Sequence, residues 1–289
     1  MSLVSIIIPA YNREPLLKRA IETALQQTVR DIEVIVVDDG STDKTAMVAQ
    51  LCANVDPRVQ LIRHKTNRGA QAARNTGVQV ARGRWLAFCD SDDAMLAKSL
   101  ELRLKVAETE KVDVVHSDCY VLRKGSSKQV FGVPKLRGSV YRDLLAHPGP
   151  MFQGMLISAY SFAAIGRLDE RVVAYQEWDT AIRLAKIFSF GFVAEPTFIY
   201  DCTGNDNISK KPRSATRGYE YIVQKHFIEM LSRLGPRGIS HHYRMIANLY
   251  SEAGDFRTAA KFNRKSFIWW PSPQRISRKL RSSLVKVPN

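Results

Sequence analysis

The first 118 residues alternate between short apolar runs and segments in which apolar residues recur every three or four positions. The short runs predict buried strands, and the recurring spacing predicts helices with one buried face. Strands separated by helices indicate a mostly parallel central sheet flanked by helices, an α/β, Rossmann-like nucleotide-binding fold. The predicted strands are 3–8, 32–37, 59–62, 85–89 and 112–116, and the predicted helices are 14–27, 42–53, 70–81 and 94–110.

The pattern becomes less regular after residue 118. Polar residues with Gly and Pro predict loops and strand fragments at 119–150, and two last strands are predicted at 192–194 and 197–200. A polar, basic connection at 203–218 then precedes predicted helices at 219–233 and 241–267. We therefore predict two regions. The first covers 1–202, divided into halves 1–118 and 119–202, and the second is a helical, basic C-terminal extension, 203–289.

Composition places the chain among ordinary globular proteins, with 45% hydrophobic and 25% charged residues. The apolar run near the N-terminus is too short for a secretory signal, so we expect a cytoplasmic protein that starts at its own N-terminus. The four cysteines have no paired spacing and are predicted to be free thiols. A net charge of +15 indicates an anionic partner, which can be nucleic acid, acidic lipid or an anionic substrate.

Three carboxylates follow the predicted strand 85–89 within four residues, at Asp90, Asp92 and Asp93. They lie where open α/β sheets bind ligands, and their mutual repulsion favours a bound cation. Oxygen ligands without nearby His or Cys favour Mg²⁺ or Mn²⁺, ions that bridge carboxylates to a diphosphate. The alternative is an acidic turn in which Asp93 caps a helix that begins near Met95.

Other polar residues occur near the ends of neighbouring strands. Asp38 and Asp39 follow the second strand, where one carboxylate can accept a hydrogen bond from a nucleobase while Ser41 or Thr42 caps the next helix. Arg74 lies on the third helix among small residues and is suited to a diphosphate. No Gly-x-Gly-x-x-Gly or Gly-Lys-Ser/Thr motif is present, which argues against a dinucleotide cofactor and P-loop chemistry.

The C-terminal region combines basic and aromatic residues. From Ala260 onward the chain contains eight Lys or Arg residues and no acidic residue, with Trp269 and Trp270 among them. This combination suits an anionic membrane surface, with the indole rings at headgroup depth. The alternative is a solvated basic tail whose tryptophans pack onto the first region.

Five motifs together resemble a family 2 inverting glycosyltransferase of the nucleotide-diphospho-sugar transferase type, with the A-type glycosyltransferase fold, over residues 3–202. The motifs are VSIIIPAYN at 4–12, VVDDGSTD at 36–43, ARNTG at 73–77, DSDD at 90–93 and QEWD at 176–179. The resemblance implies that 1–118 binds the nucleotide sugar and that 119–202 binds the acceptor.

The resemblance also implies roles for individual residues of the donor site. Asp39 would contact the base, most often uracil, and Arg74 would lie near the diphosphate. Asp92 would be the direct ligand of Mn²⁺ or Mg²⁺, and Asp90 would be a second candidate ligand nearer the ribose. The remaining residues that would bind the nucleotide sugar are Pro9, Ala10, Tyr11 and Ser91.

Glu177 matches the position of the family's catalytic base, six residues before Arg183. The family often has Glu-Asp here, whereas this chain has Gln176 followed by Glu177, and Asp179 is the alternative base. Without the resemblance, both acids can simply complement the dipole of a helix whose buried face follows them. The Gln-x-x-Arg-Trp motif of processive synthases is absent, which favours transfer of single sugars, and the loop at 203–206 lacks the histidine that relatives use as a metal ligand.

The sequence therefore predicts a non-processive inverting transfer of one sugar, from a UDP-sugar in the first instance, to a hydroxyl of a saccharide or lipid-linked acceptor. Such a protein would act in cell-surface polysaccharide or glycolipid assembly, in the cytoplasm or at the inner face of the membrane. A sugar nucleotidyltransferase is one alternative, although its Gly-rich N-terminal loop is missing. A nucleic-acid-binding protein is another, although no such motif is present.

Overall fold

A computed structural model describes residues 3–204 and 212–271 of the chain. These residues form two compact units. Within the described ranges, the first unit comprises 3–144, 148–172 and 176–204, and the second comprises 145–147, 173–175 and 212–271.

The first unit is built on a seven-stranded sheet, whose strand order is β10-β6-β9-β4-β1-β2-β3. All neighbouring strands run parallel except β9, which is antiparallel to β4 and β6. Every residue of β1 and β2 is buried, as expected for strands covered on both faces. The predicted α/β fold is confirmed. The strands are β1 Val4–Ala10, β2 Ile32–Asp38, β3 Val59–Arg63, β4 Trp85–Phe88, β6 Val114–Ser117, β9 Leu156–Ser158 and β10 Phe190–Val193.

A smaller four-stranded sheet has the order β5-β11-β7-β8. Its strands are β5 Ala94–Met95, β7 Cys119–Leu122, β8 Gln129–Phe131 and β11 Phe198–Asp201. The helices up to residue 185 are α1 Glu14–Leu25, α2 Thr45–Val55, α3 Ala70–Val80, α4 Ser99–Glu110, α5 Tyr141–Ala146, α6 Ala159–Ala164 and α7 Gln176–Ala185, with a 3₁₀ turn at Phe152–Gly154.

The small residues of α3 allow this helix to lie against the sheet. A Cβ atom added to Gly77 would lie 2.6 Å from Cγ2 of Ile7 in β1. Real Cβ atoms do not approach other atoms so closely, so the helix could not keep this position with a larger residue. Close packing of α3 on the sheet therefore accounts for the glycine at this position.

The predicted helix 94–110 begins five residues later than expected. Ala94 and Met95 form β5, which pairs antiparallel with β11, and α4 starts at Ser99. The alternative in which Asp93 caps a helix that begins near Met95 is therefore wrong. A strand of two residues is too short to show a hydrophobic period, and its partner strand lies about one hundred residues away in the sequence.

The start of α2 also differs from the expectation. Asp43, rather than Ser41 or Thr42, accepts the hydrogen bond that the backbone amide of Thr45 donates there.

The second unit is helical, with α8 Pro212–Lys225, α9 Phe227–Glu252 and α10 Phe256–Trp269. The predicted helix 241–267 is in fact two helices, because Gly254 has a φ of 80° and Asp255 caps α10 by accepting a hydrogen bond from the Thr258 amide. Among the described residues, no helix is both long and apolar enough to cross a membrane. The basic tail after residue 271 lies outside the described residues, as do residues 205–211 of the predicted 203–218 connection. The predicted connection is wrong from Pro212 onward, where α8 has already begun.

Candidate active site

The candidate site lies at the carboxyl edge of the large sheet. The parallel strands β1, β2 and β4 are adjacent, so the residues that follow them meet at one edge. Pro9 and Ala10 are the buried end of β1, and Tyr11 beyond them is exposed. Asp39 lies next to them and donates its backbone N–H to the Ala10 carbonyl at 2.8 Å. The structure thus brings the predicted nucleotide-pocket residues to the edge where α/β sheets bind ligands.

Asp39 is buried and holds the loop that leads into α3. Its Oδ1 atom accepts hydrogen bonds from Nδ1 of His64 at 2.7 Å and from the Arg68 amide at 2.9 Å. Its Oδ2 atom accepts one from the Gly69 amide at 2.7 Å. Nε2 of the same imidazole lies 2.9 Å from the Thr76 hydroxyl, which fixes the ring. The predicted base contact is therefore a carboxylate held rigidly by its own loop.

Asp38 turns away from this loop, as expected for one of two adjacent carboxylates. It is fully buried, accepts a hydrogen bond from the Ser41 amide at 3.1 Å, and pairs with Nε of Arg63 at 2.9 Å. Between these groups the backbone makes a tight turn at Gly40, whose φ is 74°. A Cβ atom there would lie 2.6 Å from the Thr66 carbonyl carbon, so the turn requires glycine.

A single amide joins two carboxylates of the acidic cluster. Nε2 of Gln153 donates to Asp90 Oδ2 at 2.6 Å and to Asp93 Oδ2 at 2.7 Å. The second oxygen of Asp93 accepts from the Asp201 amide at 2.9 Å. Burial, followed by the charge of Asp90, raises the pKa of Asp93 well above its usual value. In the inner part of the cluster, Asp90 and Asp93, each carboxylate oxygen therefore accepts a hydrogen bond from the protein.

Gln153 is itself positioned by a buried cation. Arg103 is fully buried and donates hydrogen bonds to the carbonyls of Gln153, at 3.2 Å, and Met155, at 2.8 Å. It also donates to the carbonyl and hydroxyl of Ser99. These bonds fix the 3₁₀ turn that carries Gln153. Nothing in the local sequence around 151–158 indicates this role, because both partners of Gln153 lie about sixty residues earlier.

Asp92 differs from its neighbours because its carboxylate remains available. Within the described ranges, no other residue donates a hydrogen bond to it, and Nε of Arg13 lies 3.9 Å from Oδ2. Burial and then the charge of Asp90 raise the pKa of Asp92. Arg19 donates to the Asp92 backbone carbonyl and, at 2.9 Å, to Oδ2 of Asp201. The acidic loop is thereby tied to the end of β11.

Asp92 fits the chemistry of a divalent ion. Mg²⁺ is usually held by one or two carboxylates together with substrate phosphates, and Asp92 offers one such oxygen ligand. Within residues 3–204 and 212–271, no group of three or more His, Cys, Asp or Glu side chains is arranged to hold a metal. Asp90 has both oxygens in hydrogen bonds, so Asp92 is the better candidate of the two. Ser91 lies buried between them.

Arg74 connects three parts of the site. Its guanidinium donates to Asp90 at 2.6 Å, to Gln71 at 3.2 Å, and to Gln176 at 2.7 Å. It also lies over the ring of Phe152, 4.7 Å from the centroid, and is buried. This side chain therefore joins α3, the acidic loop and the first residue of α7. The sequence indicated a role for Arg74 in anion binding, but its bond to Gln176 spans 102 residues and had no sequence signal.

The two candidate bases on α7 have different surroundings. Glu177 is half-buried, and burial is the main cause that raises the pKa of its carboxyl, with Arg74 lowering it and Asp90 raising it. Asp179 is fully buried and pairs with Nε of Arg183 at 3.0 Å. The same arginine donates to the carbonyls of Ile165 and Arg167. This geometry favours Glu177 as a base and gives Asp179 a structural contact.

The fold and the site can now be compared with known proteins. The profile of Glycosyl transferase family 2 matches residues 5–152, slightly more than half of the chain. The chain belongs to glycosyl transferase family 2. The resemblance inferred from the five motifs is therefore confirmed at the level of the family.

Several known proteins are similar in sequence to this family 2 chain. The chain is 36% identical over 137 residues to the uncharacterized glycosyltransferase EpsJ of Bacillus subtilis, covering 47% of this chain and 39% of EpsJ. It is 38% identical over 134 residues to WfaP of Escherichia coli, named as a UDP-Glc:alpha-D-GlcNAc-diphosphoundecaprenol beta-1,3-glucosyltransferase, covering 46% and 53%. The aligned part of the chain thus spans about half of the length of these two relatives, or less. An uncharacterized glycosyltransferase of Haemophilus influenzae is 26% identical over 264 residues, covering 88% of both chains.

Solved structures share the fold of this family 2 chain. TarS of S. aureus, in complex with UDP-GlcNAc, has a TM-score of 0.66 at 14% identity and covers 91% of this chain and 90% of its own. The mannosyltransferase PcManGT of Pyrobaculum calidifontis, in complex with GDP-Man and Mn²⁺, has a TM-score of 0.64 at 17% identity, covering 98% and 79%. These likenesses confirm the predicted A-type fold.

Proposed function

We propose that this glycosyltransferase moves one sugar from a nucleotide-diphosphate sugar to an acceptor hydroxyl with inversion at the anomeric carbon. One observation carries the proposal: Arg74 binds Asp90 on one side and Gln176 on the other. The candidate base Glu177 is therefore anchored beside the acidic edge where the donor diphosphate would lie. A base and a leaving-group site so placed suit a single direct displacement.

Glu177 would take the proton from the acceptor hydroxyl as that oxygen attacks the anomeric carbon. Its raised pKa, caused mainly by burial, suits this role, because a carboxylate with a higher pKa is a stronger base. Attack on the face opposite the departing diphosphate gives inversion in one step, without a covalent enzyme intermediate.

Asp92, with Asp90 behind it, would hold Mn²⁺ or Mg²⁺. A bound divalent ion stabilises the negative charge that develops on a leaving diphosphate. Arg13, 3.9 Å from Asp92, adds positive charge at the same place. Arg74 would act on the diphosphate through its hold on Asp90, since its guanidinium already donates to that carboxylate.

A UDP-sugar is the first donor to test. The name of WfaP specifies UDP-Glc, and TarS binds UDP-GlcNAc, whereas PcManGT binds GDP-Man. A lipid-linked saccharide in cell-surface polysaccharide assembly is the proposed acceptor class, supported by the name of WfaP, which specifies GlcNAc linked to diphosphoundecaprenol. The proposed location is the cytoplasmic face of the membrane.

Donor class and metal use can be tested by binding. Thermal-shift titrations with UDP, GDP, TDP and CMP, with and without Mn²⁺, compare the wild type with Asp92→Ala. We expect one nucleotide to bind in a Mn²⁺-dependent manner, and the metal dependence to disappear in the variant. Binding that ignores both metal and mutation would remove the proposed metal site.

The base can be tested by transfer from the nucleotide sugar to GlcNAc-diphospho-undecaprenol, with the product configuration read by NMR. We expect Glu177→Gln to keep donor binding and to lose about 10²-fold or more in rate. Glu108→Gln, an exposed position on α4, is the matched control. Near-normal transfer by Glu177→Gln would reject Glu177 as base. Pyrophosphate release from a nucleoside triphosphate and a sugar phosphate would instead support the nucleotidyltransferase alternative.

A further inference from the structure

Helix α10 has one buried side and one basic side. Ala259, Phe262 and Ser266 are buried. On the exposed side, Arg257, Lys261, Arg264 and Ile268 follow one another at intervals of four, three and four residues. This spacing places them in one stripe along a helix of 14 residues, about 21 Å long.

The stripe ends in exposed apolar side chains. Ile268 is 76% exposed and Trp270 is 46% exposed, although Trp269 between them packs its ring on Phe227, with centroids 5.7 Å apart. That ring contact brings the end of α10 to the start of α9, where Ile228 is 72% exposed. The tip of the unit therefore presents Ile228, Ile268 and Trp270 to solvent.

The charged residues of α10, beside this apolar tip, are all positive. From Phe256 to the end of the chain there are nine Lys or Arg residues and no Asp or Glu. Four of the nine lie on α10 itself, at Arg257, Lys261, Arg264 and Lys265. Exposed apolar residues bordered by cations are the features of helices that lie in the plane of an anionic membrane.

We propose that the exposed side of α10 docks the protein on a membrane surface that contains anionic lipid. The stripe of three cations binds the headgroups, and Ile228, Ile268 and Trp270 insert at the boundary between headgroups and acyl chains. The exposed isoleucines favour a membrane over a nucleic acid, because an aliphatic side chain gains from burial among acyl chains but offers no face on which a base stacks. The inference goes beyond the proposed glycosyl transfer and does not depend on it.

Vesicle co-sedimentation of the full chain tests the proposal. Vesicles of phosphatidylcholine with 0 or 40% phosphatidylglycerol are compared at low and physiological salt. We expect binding only with phosphatidylglycerol, weakened by salt. Ile268→Ser combined with Trp270→Ser should bind at least fivefold less tightly, and Lys261→Glu combined with Arg264→Glu should lose at least tenfold.

Two further measurements distinguish insertion from simple charge attraction. Leu51→Ser on α2 removes a side chain of comparable exposure, 57%, and should bind as the wild type does. Brominated lipid should quench the fluorescence of Trp270 in the wild type, and this quenched component should be missing in Trp270→Phe. The proposal would be overturned if the wild type did not bind anionic vesicles, or if the variant with both Ile268 and Trp270 replaced bound them as tightly as the wild type. Salt-sensitive retention of RNA without vesicle binding would instead support a nucleic-acid partner. Circular dichroism of each variant verifies that it is folded.

Discussion

The guanidinium of Arg74 lies 2.6 Å from the carboxylate of Asp90. The contact joins two side chains that come from different elements of the large α/β unit, and one of them is buried. A second bond from the same guanidinium reaches Gln176, so this arginine connects the acidic edge with the start of α7.

Arg74→Lys should therefore destabilise the protein although it keeps the charge. An ammonium cannot reproduce the planar donors that serve Asp90, Gln71 and Gln176 together, and it loses the stack on Phe152. We expect the free energy of unfolding in urea to fall by about 1–3 kcal/mol. Arg68→Lys, at an exposed pair 3.9 Å from Glu170, should change it by less than about 0.5 kcal/mol. Equal effects would contradict the bridging role.

Gln153→Glu should make stability depend on pH. The change places a third carboxylate against Asp90 and Asp93, so the pKa of Asp93, which is already raised by burial, rises further in the folded state. Because the folded protein then binds more protons than the unfolded chain, stability increases as pH falls. We expect a loss of about 2–4 kcal/mol near pH 7.5 that shrinks towards pH 5.

The exposed variant Gln50→Glu is the control for this charge change and should show neither the loss nor the pH dependence. If the loss of stability in Gln153→Glu stayed constant from pH 7.5 to 5, the lost amide donor rather than the added charge would be responsible.

Glu177 should set the acidic limb of the pH–rate profile. Burial raises the pKa of this carboxyl, so kcat/KM should begin to fall at a pH above the ordinary glutamate value of about 4.3. Removing the charge of Asp90 with Asp90→Asn should move the limb to lower pH, because that charge raises the pKa of Glu177. The profile of the residual activity of Glu177→Gln should lack the limb. Its persistence there would assign it to another group.

Gly77→Ala has two opposing effects on stability, a gain in helix propensity and a steric clash in the packing. Alanine favours a helix by about 1 kcal/mol over glycine, but its Cβ would meet Ile7 at 2.6 Å. Overpacking of a buried contact costs about 1–3 kcal/mol, so we expect a net decrease in the melting temperature. Gln79→Ala, two residues along the same helix and exposed, should leave it unchanged or slightly higher. A higher melting temperature for Gly77→Ala would show that Ile7 moves aside freely.

Elements that contain a clear hydrophobic pattern of their own were predicted correctly from the sequence. The strands at β1, β2 and β4 and the helices α1 and α3 have the expected positions, because each contains enough apolar periodicity to be recognised. The short strand β5 was missed, since its structure comes from pairing with β11. The break between α9 and α10 depends on the left-handed backbone of Gly254, which hydrophobic spacing does not reveal.

The candidate site likewise contains residues that a sequence motif reveals and residues that only the folded structure reveals. Motifs identified the acids and Arg74, but Gln153 and Arg103 act through contacts at least fifty residues apart and carry no motif. Their importance follows from buried hydrogen bonds that only the folded chain displays. The roles assigned to the motif residues in donor binding and catalysis remain predictions for the experiments above.

The loop contacts of Asp39 limit what this carboxylate can still bind. A carboxylate has about four acceptor positions, two on each oxygen. His64 and the Arg68 amide occupy both positions on Oδ1, and the Gly69 amide occupies one on Oδ2. One position is left, which matches the single imide N–H of uracil or thymine. Guanine presents two neighbouring N–H donors and would have to displace an amide of the loop, so hydrogen-bonding capacity at one oxygen atom would select the nucleotide.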